Sequence, residues 1–365
     1  MQTRITILAA AISVLLANHA YAVSESTQDQ TGTDNYADVM QQGDDSSITQ
    51  VQNGSGNVAY TDQNGVGITA NSDQTGNGNI STIEQAGFNS EITVSQAGDY
   101  NLATVLQSSI EVGHSASISQ EGTSNLAYIE QLDFNGNSAA ISQNGENNAI
   151  EVFQEGFLAK SYSGMQNGTG NTAYIEQLGD AHAQTDQIGT DNVITLTQDG
   201  FPFGASVSIS QNGTANQATL DQRSPGRYSS GDVELIQIGT DNVADVVESA
   251  GFGSFSYTQN GTGNELTAQQ SGRSTSVEGS STGDYNRVDI RQDYDGSSLV
   301  IDQNGTANEI DVDQSGYYGT ANIGQIGTEN YASVVQTGTL ESVSTYDAAI
   351  MQNGTGNSAF VTQGP

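Results

Sequence analysis

The sequence predicts an all-β fold, a β-solenoid of about fifteen strand-turn-strand repeats stacked into two facing parallel sheets with Gln/Asn ladders, and three observations predict it. Asn recurs at 35, 57, 79, 101, 125, 148, 171, 192, 216, 242, 264, 286, 308, 330 and 357, fifteen units with a mean spacing of 23 residues. Each Asn keeps fixed companions: Gln five residues before it except at Ser281, Gly three before it without exception, and Gln six after it except at Glu248. On both sides of the Gly-x-x-Asn stretch, apolar and polar residues alternate with period 2, the period of a strand with one buried face.

In chain order, the first element lies outside the repeats. Arg4, the apolar run Ile5 to Ala17 and the small-x-small sequence Ala20-Tyr21-Ala22 make residues 1–22 a secretory signal peptide, expected to be cleaved after Ala22. Its apolar run is too short to span a bilayer, and no later segment approaches transmembrane length. Residues 23–365 are then a single repeat domain. Each repeat opens with a strand ending at the leading Gln, as in Ser90, Ile92, Val94 and Gln96, or Ala205, Val207, Ile209 and Gln211. A turn follows in which Gly and Asn tolerate positive φ. The second strand is clearest at 171–177, where Asn171, Ala173, Ile175 and Gln177 share the inward face and Thr172, Tyr174 and Glu176 the outward one. The second turn carries the length variation and Pro202 and Pro225.

Such a strand pair cannot bury its inward face alone. Stacked at about 4.8 Å per layer, fifteen copies form a rod of roughly 70 Å in which every inward amide lies above an identical one. The leading ladder runs through Gln30, Gln52, Gln74, Gln96, Gln166, Gln303 and Gln352; the central one through Asn35, Asn57, Asn79, Asn101, Asn171, Asn308 and Asn357; the trailing one through Gln41, Gln63, Gln85, Gln107, Gln177, Gln314 and Gln363. Each amide can donate to one neighbouring layer and accept from the other, which removes a desolvation cost of about 1–3 kcal/mol per unpaired group. Glu248 and Ser281 break these ladders. A carboxylate at 248 accepts but cannot donate, so its pKa is expected to rise unless an Arg pairs with it.

Composition narrows the function. With 42 acidic and 7 basic residues the net charge is −35, and without Arg4 it is −36, so phosphate-neutralising nucleic-acid binding is excluded. There is no Cys, which removes disulfides, thiol nucleophiles and thiolate metal sites. After the signal peptide only His114 and His182 remain, and His114 replaces a leading Ser, so the reading is a non-enzyme with no cofactor and no metal. The first-turn acids Asp34, Asp191, Asp241 and Glu329 lack the Gly-rich nonapeptide of calcium β-rolls. Tyr60, Tyr128, Tyr174 and Phe360, each three residues after an Asn, face outward; cross-strand packing explains them more simply than a carbohydrate- or dye-binding stripe. Arg223, Arg227, Arg273, Arg287 and Arg291 cluster in one zone, read either as drift in surface loops or as cationic patches for acidic neighbours.

The pattern Ser-x5-Gln-x-Gly-x-x-Asn-x-Ala-x3-Gln, present as Ser90, Gln96, Gly98, Asn101, Ala103 and Gln107, resembles the curlin repeat of bacterial curli. The likeness extends over essentially all of 23–365 and is closest to the major fibre subunit. It implies a secreted structural subunit that polymerises end to end into extracellular amyloid fibres for biofilm cohesion and adhesion. It also implies a nucleating subunit and a dedicated outer-membrane secretion channel as partners. The chain has about three times as many repeats as the best-known curlins, lacks their Gly-rich segment after the signal peptide, and often replaces the leading Ser, as by Ile68 and His114. Two alternatives stand beside this reading: a monomeric secreted solenoid that binds a surface or polysaccharide, and a minor nucleating subunit.

Overall fold

A computed structural model describes residues 23–133, 135–200, 204–223, 231–338 and 346–364. Residues 1–22, expected to be a signal peptide, and Pro202, Pro225 and Arg227 lie outside the described residues. The described chain holds thirty strands, numbered in chain order from β1 (Glu25–Thr33) and β2 (Tyr36–Gln42) to β29 (Asp347–Thr355) and β30 (Ser358–Gln363). Odd-numbered strands form one fifteen-stranded sheet and even-numbered strands a second, each strand pairing with the next of its own parity. All pairings are parallel and hold the repeat in register: Gln30 lies beside Gln52, and Gln41 beside Gln63. The molecule is therefore a β-solenoid of fifteen layers, each contributing one strand to each sheet.

Alternation decides the faces. In β7 (Glu91–Asp99), Ile92, Val94 and Gln96 are buried while Glu91 and Ser95 are exposed. Across from them in β8 (Leu102–Ser109), Ala103, Val105 and Gln107 complete the layer. Repeated through the stack, these positions build one continuous core two side chains thick, aliphatic except where Tyr162, Phe255 and Tyr257 enter it. Gln ladders flank it on either side and so seal its edges.

The first turn is the tightest element. Two residues separate Thr33 from Tyr36, and the one before the Asn lies in the left-handed region, as Gly56 (φ 66°), Asp34 (φ 56°) and Asn147 (φ 55°) do. The invariant Gly three before the Asn has a different reason. Gly168 has φ 138°, and a Cβ on it would lie 1.9 Å from the Gly189 carbonyl oxygen of the next layer. That same oxygen accepts a hydrogen bond of 3.0 Å from Asn171 Nδ2. Gly and Asn thus work as one device: the glycine lets two layers close up at the corner, and the asparagine joins the exposed carbonyl to the layer below.

Candidate functional site

The ladders fall where the repeat places them, and they have direction. In the leading column Gln30 donates to Gln52 at 2.6 Å, Gln52 to Gln74 at 2.8 Å and Gln74 to Gln96 at 2.8 Å. In the trailing column Gln41 donates to Gln63 at 3.2 Å, Gln63 to Gln85 at 2.8 Å and Gln85 to Gln107 at 3.2 Å. The order continues at Gln303 and Gln314 and reaches Gln352 and Gln363 in the last described layer. Most of the ladder Gln Nε2 groups also reach a carbonyl of the opposite sheet, as Gln166 to Ala149 O at 2.9 Å and Gln177 to Ser161 O at 3.0 Å. Asn side chains donate the other way. Asn57 Nδ2 reaches Asn35 Oδ1 at 3.2 Å, Asn79 reaches Asn57 at 3.2 Å and Asn101 reaches Asn79 at 3.1 Å, with the same polarity through Asn171, Asn308 and Asn357.

The opposite corner carries a second acceptor column that the sequence only hints at. Here a backbone N–H donates to the side chain of the preceding layer: His114 N to Ser90 Oγ at 3.0 Å, Asn137 N to His114 Nδ1 at 3.1 Å, and Lys160 N to Asn137 Oδ1 at 3.2 Å. His114 Nδ1 stands where Ser90 Oγ stands one layer earlier and keeps the acceptor there, whereas Ile68 and Ala181 at the same position offer none. Since His114 Nδ1 accepts, its proton sits on Nε2, 3.2 Å from the Ser108 carbonyl, and the ring is a structural member of the column. The buried Lys160 ammonium is held by the Leu158 and Gly156 carbonyls at 2.6 and 3.1 Å.

The two ladder breaks behave differently. Glu248 in β20 (Val243–Gly251) is fully buried between Gln222 and Gln270. Ala250 N–H donates to its Oε1 at 2.8 Å, while Oε2 has no hydrogen-bond partner. Gln222 gives its Nε2 to the Gly231 carbonyl at 2.5 Å, and Gln270 Oε1, which a Gln at 248 would have served, accepts nothing. Burial pushes the Glu248 carboxyl up to about 7, with the Ala250 N–H and, less strongly, the nearby Gln222 amide and Gly231 N–H acting in the opposite direction.

Ser281 in β23 (Ser276–Asp284) is compensated. Tyr257 in β21 (Ser254–Thr262) reaches its Oγ with a 2.8 Å hydrogen bond, and Ser281 donates onward to Gln303 at 2.9 Å. The Tyr257 ring occupies space that Gly279 vacates, since a Cβ there would lie 2.3 Å from the ring. A related exchange occurs in β13 (Lys160–Thr169), where Tyr162 fills the place beside Gly164 and reaches Thr185 at 2.7 Å. An inward Gly next to an inward Tyr was the available sequence signal. Thr61, the one non-aliphatic residue of its column, has a comparable explanation: Gln50 Nε2 crosses the core to its Oγ1 at 2.9 Å.

Among the described residues, the arginines form no cationic patch. Arg223 pairs with Asp221 at 2.6 Å, Arg291 with Asp293 at 2.7 Å, Arg273 with Asp295 at 3.1 Å and Arg287 with Glu309 at 3.7 Å, so each lies against a carboxylate. Among the described residues, no three His, Asp or Glu side chains converge to hold a metal ion.

The repeat geometry meets its counterpart among known families. The family model described as Curlin associated repeat matches residues 68–98, 115–145 and 305–338. The chain carries curlin repeats. No curated protein matches it. The layers between the second and third matched stretches keep the same register, with Glu248 and Ser281 as the two departures from their Gln columns.

Proposed function

We propose that this curlin-repeat chain is the structural subunit of an extracellular amyloid-type fibre that grows by stacking copies end to end. One observation carries the reading: the Asn column and, apart from the breaks at Glu248 and Ser281, both Gln columns join successive layers by bonds of one fixed direction, so the surface between two copies can reproduce the surface between two layers. The first described layer, β1 and β2, and the last, β29 and β30, each pair on one side only. At the last, Gln352 and Gln363 accept from the preceding layer. Their remaining N–H groups would serve Gln30 and Gln41 of a following copy, while Asn35 of that copy would donate to Asn357. Joining like ends would oppose donor to donor, so the fibre is head-to-tail and polar. Export by the 1–22 signal peptide, a nucleating subunit, an outer-membrane channel and a role in biofilm cohesion belong to the same proposal, by the curlin family's habit. Purified residues 23–365 brought from denaturant into buffer should give unbranched fibres by negative-stain microscopy, with a meridional reflection near 4.8 Å. Uniform short rods of one chain's length would overturn the proposal and favour a monomeric solenoid.

A further inference from the structure

The outward face of the even-numbered sheet changes character along the rod. From β18 (Gln217–Arg223) onward its carboxylates share the surface with arginines, as in the Arg223–Asp221 and Arg291–Asp293 pairs. Nearer the first layer the counter-charges are missing. The strands β4 (Val58–Val66), β6 (Ile80–Phe88), β8, β10 (Leu126–Asp133), β12 (Ala149–Glu155) and β14 (Thr172–Leu178) contain no Lys, Arg or His.

Aromatic rings and carboxylates are interleaved there. Tyr128 and Glu130 stand side by side in one layer, Glu151 and Phe153 in the next, Tyr174 and Glu176 in the third, and the register sets Glu130 beside Phe153 and Glu151 beside Tyr174. The rings make a ladder along the rod, 5.3 Å from Tyr128 to Phe153 and 5.4 Å from Phe153 to Tyr174. Toward the first layer this surface runs into a groove of about 440 Å³, lined by Asp62, Glu84, Leu106, Glu130 and Leu132 among others. Asp62 and Glu84 are neighbours in register, so like charges face one another across adjacent layers. Burial and then the surrounding carboxylates, Asp62, Glu84 and Asp38, raise the Tyr60 phenol above its usual range, a sign of the same negative field.

We propose that this face binds a linear amino-sugar polymer with free ammonium groups, lying along the rod with sugar rings on Tyr128, Phe153 and Tyr174 and ammonium groups on the interleaved carboxylates. Aromatic faces pack against the C–H faces of sugar rings and attract cations, and ammonium–carboxylate hydrogen bonds are the strong charge-assisted kind. Glu130 already accepts a hydrogen bond from the Tyr128 hydroxyl at 2.5 Å, and a neutral glycan could add hydroxyl donors to these carboxylates but would leave their negative charge unneutralised. A basic peptide would answer the charges without calling for a ladder of rings. The site uses outward residues alone, so it stands whether or not the copies polymerise.

The test is calorimetric binding of a β-1,4-linked glucosamine hexamer, its fully N-acetylated counterpart and hexalysine to residues 23–365, with micrographs of the same samples recording fibre formation separately. The glucosamine hexamer should bind roughly tenfold or more tightly than either of the others. The triple variant Tyr128→Ala, Phe153→Ala, Tyr174→Ala should weaken it by about tenfold or more. So should the nearly isosteric triple Glu130→Gln, Glu151→Gln, Glu176→Gln, which preserves packing if the first variant folds poorly. Thr195→Ala with Thr197→Ala, on the neighbouring strand of the same face, should leave it unchanged. Equal binding of the acetylated hexamer, hexalysine binding as tight as glucosamine, or an undiminished ring variant whose circular dichroism is native would each overturn the proposal.

Discussion

A single side chain in a ladder has fifteenfold precedent for what it must do, and Glu248 and Ser281 are informative because they depart from it in opposite senses. Glu248 leaves its own Oε2 and Gln270 Oε1 unserved in a fully buried column. Its pKa is raised to about 7, so between the unfolded value and about 7 the folded state binds the extra proton and stability falls as pH rises. The penalty is absent below the unfolded pKa and complete above about 7. Glu248→Gln is therefore expected to stabilise the assembled protein at pH 7 and above by about 1–3 kcal/mol, and to have little effect at pH 4, measured by denaturant resistance at both pH values. Equal resistance at high pH would place the carboxylate in solvent. Restoring the consensus at the other break should do harm. Ser281→Gln would drive an amide into the place of the Tyr257 hydroxyl, 2.8 Å from Ser281 Oγ, and is expected to destabilise by about 1–3 kcal/mol. Combining it with Tyr257→Ile and Gly279→Ile should recover most of that loss, because the three positions form one packing unit.

At the scale of the turn, two glycines with positive φ have unequal tolerance. Gly56, at φ 66°, faces open space. Asp and Ala occupy its position in other layers, as Asp34 and Ala215 do. Gly56→Asn is expected to cost less than about 1 kcal/mol. Gly168 has φ 138°, and a methyl group would collide with the next layer's backbone at 1.9 Å, where no side chain can give way. Gly168→Ala is thus expected to cost about 3 kcal/mol or more and to release the Asn171 bond to Gly189 O as the layers separate. Urea titration of the two variants separates the cases; similar midpoints would show that positive φ alone made both residues glycine.

For the whole molecule, stacking repeats concentrates charge. The chain after residue 22 carries −36, and register places Asp62 beside Glu84 and Asp289 beside Asp311 in consecutive layers. Two carboxylates about 4.8 Å apart repel by about 0.9 kcal/mol even in bulk-water dielectric, before burial strengthens it. Assembly is expected to speed up with moderate salt and as pH falls toward the pI of about 4.1, read as the lag time of fibre growth. A lag unchanged between low and physiological salt would mean that pairing of layers, and not charge, limits the rate. The arginines should contribute little to bundling, since those at 223, 273, 287 and 291 are already against carboxylates.

The spacing of Gln, Gly and Asn by itself determined the number of layers, the two sheets, the inward face of every strand and the columns in which amides meet. This follows because parallel pairing in constant register puts each residue above its counterpart one repeat away, so linear periodicity becomes spatial neighbourhood with no further information. Ladder positions from Gln30 to Gln363 and the two breaks were legible for the same reason. What lies within a column depends on the room left by adjacent layers, and only the tertiary structure decided it. Gln amides donate toward the last layer and Asn amides toward the first because each second N–H is claimed by a different carbonyl, of the opposite sheet for Gln166 and of the next glycine for Asn171. Tyr257 fills the gap at Ser281, Gln50 reaches across to Thr61, and His114 takes over a serine's acceptor role, each through a lean or a crossing that repeat spacing leaves open. Repetition specifies which residues become neighbours; packing at close range specifies which of their atoms touch.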